Sequence, residues 1–202
     1  MISQARRRVL DGEQVPTSEK IYSIFEPHTD LIKRGKVRAP VEFGHKVLLA
    51  ESAKGLVTQY EVLRGNPADE VHVAASLKRH RRTFRRSPAL YGADRGFFSE
   101  NNIAVCMRGG VTTVSIPQRG GCKTPQRRAH ERSPAFKRGQ RFRAGIEGRI
   151  SVLMRGRGMK RCRAEGTERF ALFVGAAVLA NNLMIVAALL TKRSSRRSKA
   201  AR

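Results

Sequence analysis

Two carboxylates stand out in the basic part of the chain. Residues 71–202 carry 30 basic and 6 acidic side chains, and Asp94 and Glu147 are two of those six acids. Asp94 follows residues 90–93, a short predicted strand, and Glu147 lies in a predicted helix. A strand-end carboxylate that faces a helical one is a common way to bind hard divalent cations. Two such cations roughly 3.5–4 Å apart promote phosphodiester cleavage, so the pair predicts metal-dependent nucleic-acid chemistry.

Both carboxylates also have structural interpretations. Glu147 is four residues after Arg143, and such a pair on one helix face contributes only a few tenths of a kcal/mol. Asp94 could instead accept hydrogen bonds from the backbone of a turn. Spacing alone leaves the metal site and these structural roles open.

The charge of the chain predicts a polyanionic partner. The 202 residues include 41 Lys and Arg against 16 Asp and Glu, a net charge of +25. Residues 1–70 are nearly balanced, with 11 basic and 10 acidic side chains, so the later part carries +24. This asymmetry favours nucleic acid over a neutral small substrate, although solvated surface charge is an alternative. The candidate DNA-binding residues are Lys78, Arg79, Arg81, Arg82, Arg149, Arg155, Arg157, Lys160 and Arg161.

Hydrophobic patterning predicts alternating strands and helices. The predicted strands are residues 21–25, a hairpin of 41–52 with 56–63, and residues 90–93, 103–107 and 111–116. Helices are predicted from Asn66 to an end marked by Pro88 and over residues 142–153. This order indicates an α/β fold, a mixed sheet with helices on its faces.

Composition divides the chain into three parts. Residues 1–19 are predicted to be an irregular segment, residues 20–190 the main domain, and residues 191–202 a basic disordered tail. Within the domain, residues 118–141 are predicted to form a basic loop or arm. Residues 170–190 are apolar and long enough to span a bilayer, which leaves a tail-anchored membrane protein as an alternative. Asn181 and Asn182 at the centre of this segment argue against it.

The cysteines and the N-terminal sequence favour a cytoplasmic protein. Cys106, Cys122 and Cys162 lack Cys-x-x-Cys spacing, which predicts neither a disulfide framework nor a zinc site. No apolar run follows Arg6–Arg8, so no secretory signal is expected. With its charge, the chain is expected to be nucleoid-associated.

Five collinear segments resemble bacterial insertion-sequence transposases of the DDE type. They are KIYSIFEPHTDLIKRGK (residues 20–36), VEFGHKV (41–47), GNPADE (65–70), ADRGFFSE (93–100) and RAGIEGRISVL (143–153). The resemblance implies a ribonuclease-H-like catalytic domain of which this chain covers the C-terminal two-thirds. Asp94 matches the second catalytic aspartate of the family, and Glu147 matches the catalytic glutamate, accompanied by Arg143.

The chain also departs from the family pattern. The first catalytic aspartate of the family lies upstream of the match to Lys20, and neither Asp11 nor Asp30 fits its motif. The basic residue that relatives carry seven positions after the glutamate is replaced by Met154. We therefore expect a fold incomplete at its N-terminus and a two-metal site for Mg²⁺ or Mn²⁺ that lacks one ligand.

The resemblance implies DNA transposition as the function. The expected partners are insertion-sequence ends and target DNA, with a homo-oligomer on DNA left open and no small-molecule substrate. Because one carboxylate is missing, strand cleavage and transfer are expected to be impaired in this chain alone. The competing class is a non-catalytic basic nucleic-acid-binding protein, in which Asp94 and Glu147 would be dispensable.

Overall fold

The computed structural model describes residues 1–17, 19–24, 26–33, 41–162 and 165–200, with side chains described as far as Lys192. Its helices are α1 (Ile2–Val9), α2 (Val73–Phe84), α3 (Glu100–Arg108), α4 (Pro125–Arg132), α5 (Pro134–Ser151) and α6 (Thr167–Ala200). Its strands are β1 (Asp30–Lys33), β2 (Val41–Gly44), β3 (Val47–Glu51), β4 (Val57–Val62), β5 (Leu90–Gly92) and β6 (Thr113–Ser115). The predicted α/β class is therefore confirmed.

The described strands pair in three small sheets rather than in the single mixed sheet that was predicted. β1 pairs with β2 and β3 with β4, both antiparallel, whereas β5 and β6 are parallel. The hairpin of β3 and β4 was predicted, and Gly55 adopts a φ of +83° in its turn. The strand predicted at residues 21–25 is not formed at 21–24, and Phe25 lies outside the described residues.

The main core lies between α2, α3 and β6. Val73 and Leu77 of α2 are buried against Ile103 and Cys106 of α3 and against Val114 of β6. The spacing of four residues in α2 places both of its apolar side chains on one face. This core supports the parallel strands β5 and β6 from one side.

The strand predicted at residues 103–107 is wrong, because these residues belong to α3. The Ser99 side chain caps this helix by accepting a hydrogen bond from the Asn102 N–H at 3.1 Å. Ile103 and Cys106, three residues apart, face the core. A helix is also what the topology requires, because parallel neighbours β5 and β6 need a crossover connection.

The basic loop or arm predicted at residues 118–141 is largely helical. Residues 125–132 form α4, and residues 134–141 are the first part of α5. Each helix starts with a capping hydroxyl followed by proline at the first position, Thr124-Pro125 and Ser133-Pro134. A capping hydroxyl accepts from a backbone N–H of the first turn, and proline fits the first helical position. A helix can therefore begin at these sites without an apolar periodicity in the sequence.

A second, smaller core joins α6 to the hairpin. This core contains Val57 of β4, Val178 of α6, and Leu153 from the segment between α5 and α6. Leu153 belongs to a π-helical segment, Val152–Gly156, that directly follows α5. Asn182 fixes α6 on β4, because its side chain accepts from the Val57 N–H and donates to the Val57 carbonyl, both at 2.9 Å.

The two ends of the chain contain more helix than the sequence predicted. Residues 2–9 of the segment expected to be irregular form α1, and residues 191–200 of the tail expected to be disordered continue α6. Thr167–Lys192 is long and apolar enough to cross a membrane by length and composition, a weak indication in a single helix.

Candidate metal and DNA site

Asp94 lies just beyond the carboxyl end of β5, as predicted. Its backbone is extended, and a short 3₁₀ helix, Arg95–Phe97, begins immediately after it. The strand is held to its neighbour up to this point, because the Ala93 N–H donates to the Ser115 carbonyl at 3.1 Å. The Asp94 side chain is 46% exposed, so its carboxylate is accessible from solvent.

Arg143 joins the two candidate carboxylates. Its guanidinium contacts Asp94 through Nε and through Nη2, the latter 2.5 Å from Oδ2. The same Nη2 lies 3.3 Å from Oε1 of Glu147, whose side chain is 69% exposed. Oδ2 of Asp94 and Oε1 of Glu147 are therefore close enough for one guanidinium nitrogen to contact both. The three residues form one cluster, which we call the carboxylate cluster.

The position of α5 depends on two glycines. A Cβ on Gly139 of α5 would lie 2.4 Å from the Ser115 Cβ, and a Cβ on Gly92 of β5 would lie 3.1 Å from the Gly139 carbonyl oxygen. The helix therefore packs closer to the β5–β6 pair than any larger residue at these two positions would allow. Arg143 and Glu147 follow one and two turns after Gly139, which brings them to the end of β5.

Gln140 and Ser115 fix the helix on the strand ends. Nε2 of Gln140 donates to the Ser115 carbonyl at 2.6 Å and to the Ala93 carbonyl at 3.4 Å. The fully buried Ser115 hydroxyl donates to the Phe136 carbonyl at 2.9 Å. These positioning residues could not be predicted from sequence, because their roles depend on contacts between distant segments.

Two other motif segments meet beside Asp94. Lys46 of VEFGHKV forms an ion pair with Asp69 of GNPADE, with Nζ 2.7 Å from Oδ1. A Cβ on Gly96 would lie 2.5 Å from Oδ2 of Asp69, so glycine allows ADRGFFSE to approach that carboxylate. Three segments that are far apart in sequence thus surround the same strand end.

The carboxylate cluster offers the donor type that Mg²⁺ and Mn²⁺ prefer, which is carboxylate oxygen. Asp94 and Glu147 can both turn toward solvent, and each retains oxygen lone pairs that Arg143 does not use. The guanidinium opposes a cation by its charge, so binding requires it to move aside. In the described part of the chain, no group of three or more His, Cys, Asp or Glu side chains is arranged to hold a metal ion.

Three predicted DNA-binding residues line a basic groove between α2 and α3. These are Lys78, Arg81 and Arg82, and the groove also includes Arg85 and Arg108, which were not among the predicted residues. Within the described residues, none of the five side chains is in an ion pair with an acid. The groove lies at the start of the strand pair, where the Thr113 N–H donates to the Ala89 carbonyl at 2.8 Å. The carboxylate cluster lies at the opposite end.

Two other predicted DNA-binding residues are engaged in ion pairs within the fold. Arg79 is paired with Glu61 at 2.7 Å. Arg149 is paired with Glu51 at 2.9 Å and donates to Oδ1 of Asn181 at 3.2 Å, so it links α5 to β3 and α6. Both partners of the Arg149 pair are largely buried.

The remaining four predicted DNA-binding residues lie at the end of the π-helical segment and just after it. Arg155, Lys160 and Arg161 are exposed, and Arg157 is half-buried. One Arg157 nitrogen, Nη1, donates to the Gly156 carbonyl at 3.0 Å. These residues form a basic turn near the C-terminal end of the helix that carries Glu147.

Comparison with known protein families identifies the chain. A family model described as the transposase DDE domain matches residues 3–183. The chain belongs to the DDE transposase family. The match includes every quoted motif and extends into α6. Searches of curated proteins and of solved structures find no significant match.

Membership in the DDE transposase family implies transposition as the function and DNA as the partner. The family generally uses divalent metal ions, which is consistent with the chemistry predicted for Asp94 and Glu147. The fold agrees with a ribonuclease-H-like DDE domain in its mixed α/β composition.

Proposed function

We propose that this transposase domain binds DNA and uses Asp94 and Glu147 as ligands for Mg²⁺ or Mn²⁺ in strand cleavage and transfer. The observation that supports this most directly is the carboxylate cluster, where Arg143 brings together acids 53 positions apart in sequence. The two acids are also those that match the catalytic motifs of the family. We propose a cytoplasmic, nucleoid-associated location, in line with a DNA substrate.

Each residue of the cluster has a proposed role. Bound Mg²⁺ would supply a Lewis acid that polarises the phosphodiester and activates water. Asp94 and Glu147 would hold the cation at the carboxyl end of β5. Arg143 neutralises the two acids when no cation is present and offers a planar set of donors that suits phosphate oxygens. Gly139 and Gln140 keep α5 against the strands and so maintain the separation of the acids.

We propose that catalysis is impaired in this chain alone. The carboxylate cluster contains two acids, whereas the family mechanism uses three. Arg143 already occupies oxygens of both acids. A cation held by two ligands is positioned less well, and a displacement of about 1 Å can reduce a rate by about 100-fold.

The test is a metal-dependent strand-cleavage and strand-transfer assay on DNA that carries terminal inverted repeats. We expect weak cleavage with Mn²⁺ or Mg²⁺ that Asp94→Asn and Glu147→Gln abolish. Glu100→Gln, an exposed acid at the start of α3, is the matched control and should retain the activity. Efficient strand transfer by these 202 residues would contradict the proposed impairment.

A non-catalytic DNA-binding role is the second candidate, and the basic groove favours it. The five cations there lie away from the carboxylate cluster and can contact phosphates without it. On duplex DNA, each neutralised phosphate contributes about −0.9 to the slope of log affinity against log salt concentration. If this role is the whole function, Asp94→Asn and Glu147→Gln will leave binding intact, and no metal-dependent cleavage will be found at any protein concentration.

A further inference from the structure

Two exposed arginines leave the strand ends beside the carboxylate cluster. Arg95 is the residue after Asp94, and Arg119 lies in the loop between β6 and α4. Both residues are exposed, and neither forms an ion pair with an acid in the described part of the chain. Neither was among the predicted DNA-binding residues. We refer to these two residues as the strand-end arginines.

The topology brings the strand-end arginines to the same edge of the sheet. β5 and β6 are parallel, with Gly92 opposite Ser115, so the segments that follow them start at one edge. In open α/β sheets, ligands bind in the crevice outside the carboxyl ends of the strands. Arg119 follows Ser115 by four residues, which span at most about 14 Å. Both strand-end arginines therefore lie near the edge that carries the carboxylate cluster.

The loop that carries Arg119 is anchored on Glu131 of α4. Oε1 of Glu131 accepts from the Gln118 N–H at 2.9 Å and from Nε of Arg127 at 3.0 Å. Its Oε2 lies 2.5 Å from Nζ of Lys123. One carboxylate thus holds both ends of the loop. A loop that is already ordered loses less conformational entropy when it binds a ligand.

Arg127 connects this loop to the segments that carry the two acids. Its guanidinium lies 5.0 Å from the ring centroid of Phe98, in the segment that follows Asp94. It lies 6.0 Å from the ring centroid of Phe136, in the first turn of α5, and it donates to the Ile116 carbonyl. The loop, the Asp94 segment and α5 therefore share one anchor. This arrangement fixes the position of the loop relative to the carboxylate cluster.

Two glycines directly after Arg119 leave the loop backbone open. Gly120 and Gly121 adopt φ values of +67° and +65°, which favour glycine over other residues. Nothing lies within 4 Å of a Cβ at Gly120, so the space around it is open. Glycine also permits a ligand to approach the backbone closely. An extended polyanion can therefore pass along the loop beside Arg119.

The carboxylate cluster alone opposes the approach of a phosphate. It contains two acids and one arginine, and the contacts of that arginine go to both acids. A phosphodiester near these carboxylates is repelled unless other cations lie beside it. In the described residues, the strand-end arginines are available for this role, because no acid of the fold neutralises them.

We infer that the strand-end arginines bind the DNA backbone beside the carboxylate cluster and hold the scissile phosphate there. The inference rests on the proposed function and adds substrate-binding residues to it. Guanidinium groups suit phosphate oxygens, because their planar donors can bind two oxygens at once. Contacts to phosphates carry no sequence information directly, so this binding is independent of the DNA sequence.

Cys122 allows the inference to be tested in the full chain. It is exposed and follows Arg119 by three residues, whereas Cys106 is buried. In a Cys162→Ser background, the rate of Cys122 alkylation by iodoacetamide is measured with and without a DNA duplex of arbitrary sequence. With DNA at about ten times its dissociation constant, alkylation of Cys122 should slow by about tenfold, because bound DNA covers the loop.

Two double variants in that background separate the strand-end arginines from the basic groove. Arg95→Gln with Arg119→Gln should abolish the protection of Cys122. Arg81→Gln with Arg82→Gln, the matched control in the groove, removes the same charge and should retain it. The DNA concentration is scaled to the dissociation constant of each variant, so that the bound fraction is equal. Circular dichroism should show equal thermal stability, because all four arginines are exposed.

The outcomes distinguish failure of this inference from failure of the proposed function. Loss of protection only in the strand-end variant supports the inference, whether or not cleavage is detected. Cys122 that is alkylated at the same rate in free and DNA-bound wild type would overturn it and leave DNA binding intact. Equal protection in both double variants, or equal loss in both, would also overturn it. Wild type that binds no DNA would refute the proposed function and this inference together.

Discussion

Gly139→Ala tests whether close packing of α5 builds the carboxylate cluster. The added Cβ would lie 2.4 Å from the Ser115 Cβ and 2.6 Å from its Oγ. Ser115 is fully buried and its hydroxyl is hydrogen-bonded to the Phe136 carbonyl, so it cannot yield by rotation alone. The helix must therefore move away from β5 and β6, and it carries Arg143 with it.

The magnitude follows from a comparison within the same helix. Overpacking a buried contact costs about 1–3 kcal/mol of unfolding free energy. Replacing glycine by alanine in a helix interior contributes about 0.8–1 kcal/mol in the opposite direction. Gly145→Ala has only the second effect, because nothing lies within 4 Å of a Cβ at Gly145. Gly139→Ala should thus be less stable than Gly145→Ala by about 1–3 kcal/mol.

Urea denaturation followed by circular dichroism measures this difference. In thermal unfolding it corresponds to roughly 2–4 °C for each kcal/mol in a chain of this size. Any metal-dependent DNA cleavage should also fall in Gly139→Ala and persist in Gly145→Ala, because Arg143 and Glu147 move relative to Asp94. Equal stability of the two variants would refute the argument that α5 is positioned by this glycine.

Three further predictions concern charge and burial away from the cluster. Burial opposes ionisation of Glu131, but hydrogen bonds from neighbouring cations and backbone outweigh it and lower its pKa. Ionised Glu131 therefore stabilises the fold at pH values above the pKa of the unfolded side chain. This contribution is lost as the pH falls through the lower pKa of the folded state. Glu131→Gln should lower the free energy of unfolding by about 1–3 kcal/mol at neutral pH. Urea denaturation at acid pH should show no difference between this variant and wild type. Arg149→Gln should lower the free energy of unfolding by about 3 kcal/mol in the same assay, because it leaves the largely buried Glu51 carboxylate unpaired. Arg81→Gln should change it by less than about 0.5 kcal/mol and should weaken DNA binding. Burial raises the pKa of Cys106 to about 11, so a thiol reagent should label exposed Cys122 quickly and Cys106 only after unfolding.

The two acids of the site could be found from sequence because motif and pattern agreed. Asp94 follows an apolar run that forms a strand, and Glu147 lies on a helix with apolar periodicity. Their proximity could not be derived, because it depends on how α5 packs on β5 and β6, two strands from earlier parts of the chain. Gly139 was the one local signal, and it acquires meaning only beside Ser115.

The errors in secondary structure have specific physical causes. The apolar run at residues 103–107 has β-branched members, but the cap at Ser99 and the need for a crossover decide in favour of a helix. In α4 and the start of α5, most of the surface is polar, so periodicity was absent. The serine or threonine followed by proline at each start was the available signal.

The assignment of individual basic residues depends on tertiary contacts that sequence does not contain. Arg149 and Arg81 look alike in sequence, yet one is paired with Glu51 and the other lines the open groove. Arg85 and Arg108 come from different helices and become neighbours only after α2 and α3 pack. The net charge therefore indicates a polyanionic partner but not which cations line the groove.

Binding of Mn²⁺, followed by electron paramagnetic resonance, tests the central claim most directly. If Asp94 and Glu147 form a metal site that Arg143 partly occupies, Asp94→Asn and Glu147→Gln will each weaken binding. Arg143→Gln will strengthen it by about fivefold, since removal of a nearby positive charge favours the cation by about 1 kcal/mol. Glu100→Gln should leave the affinity unchanged. Equal Mn²⁺ affinity in wild type, Asp94→Asn, Glu147→Gln and Glu100→Gln would contradict the account.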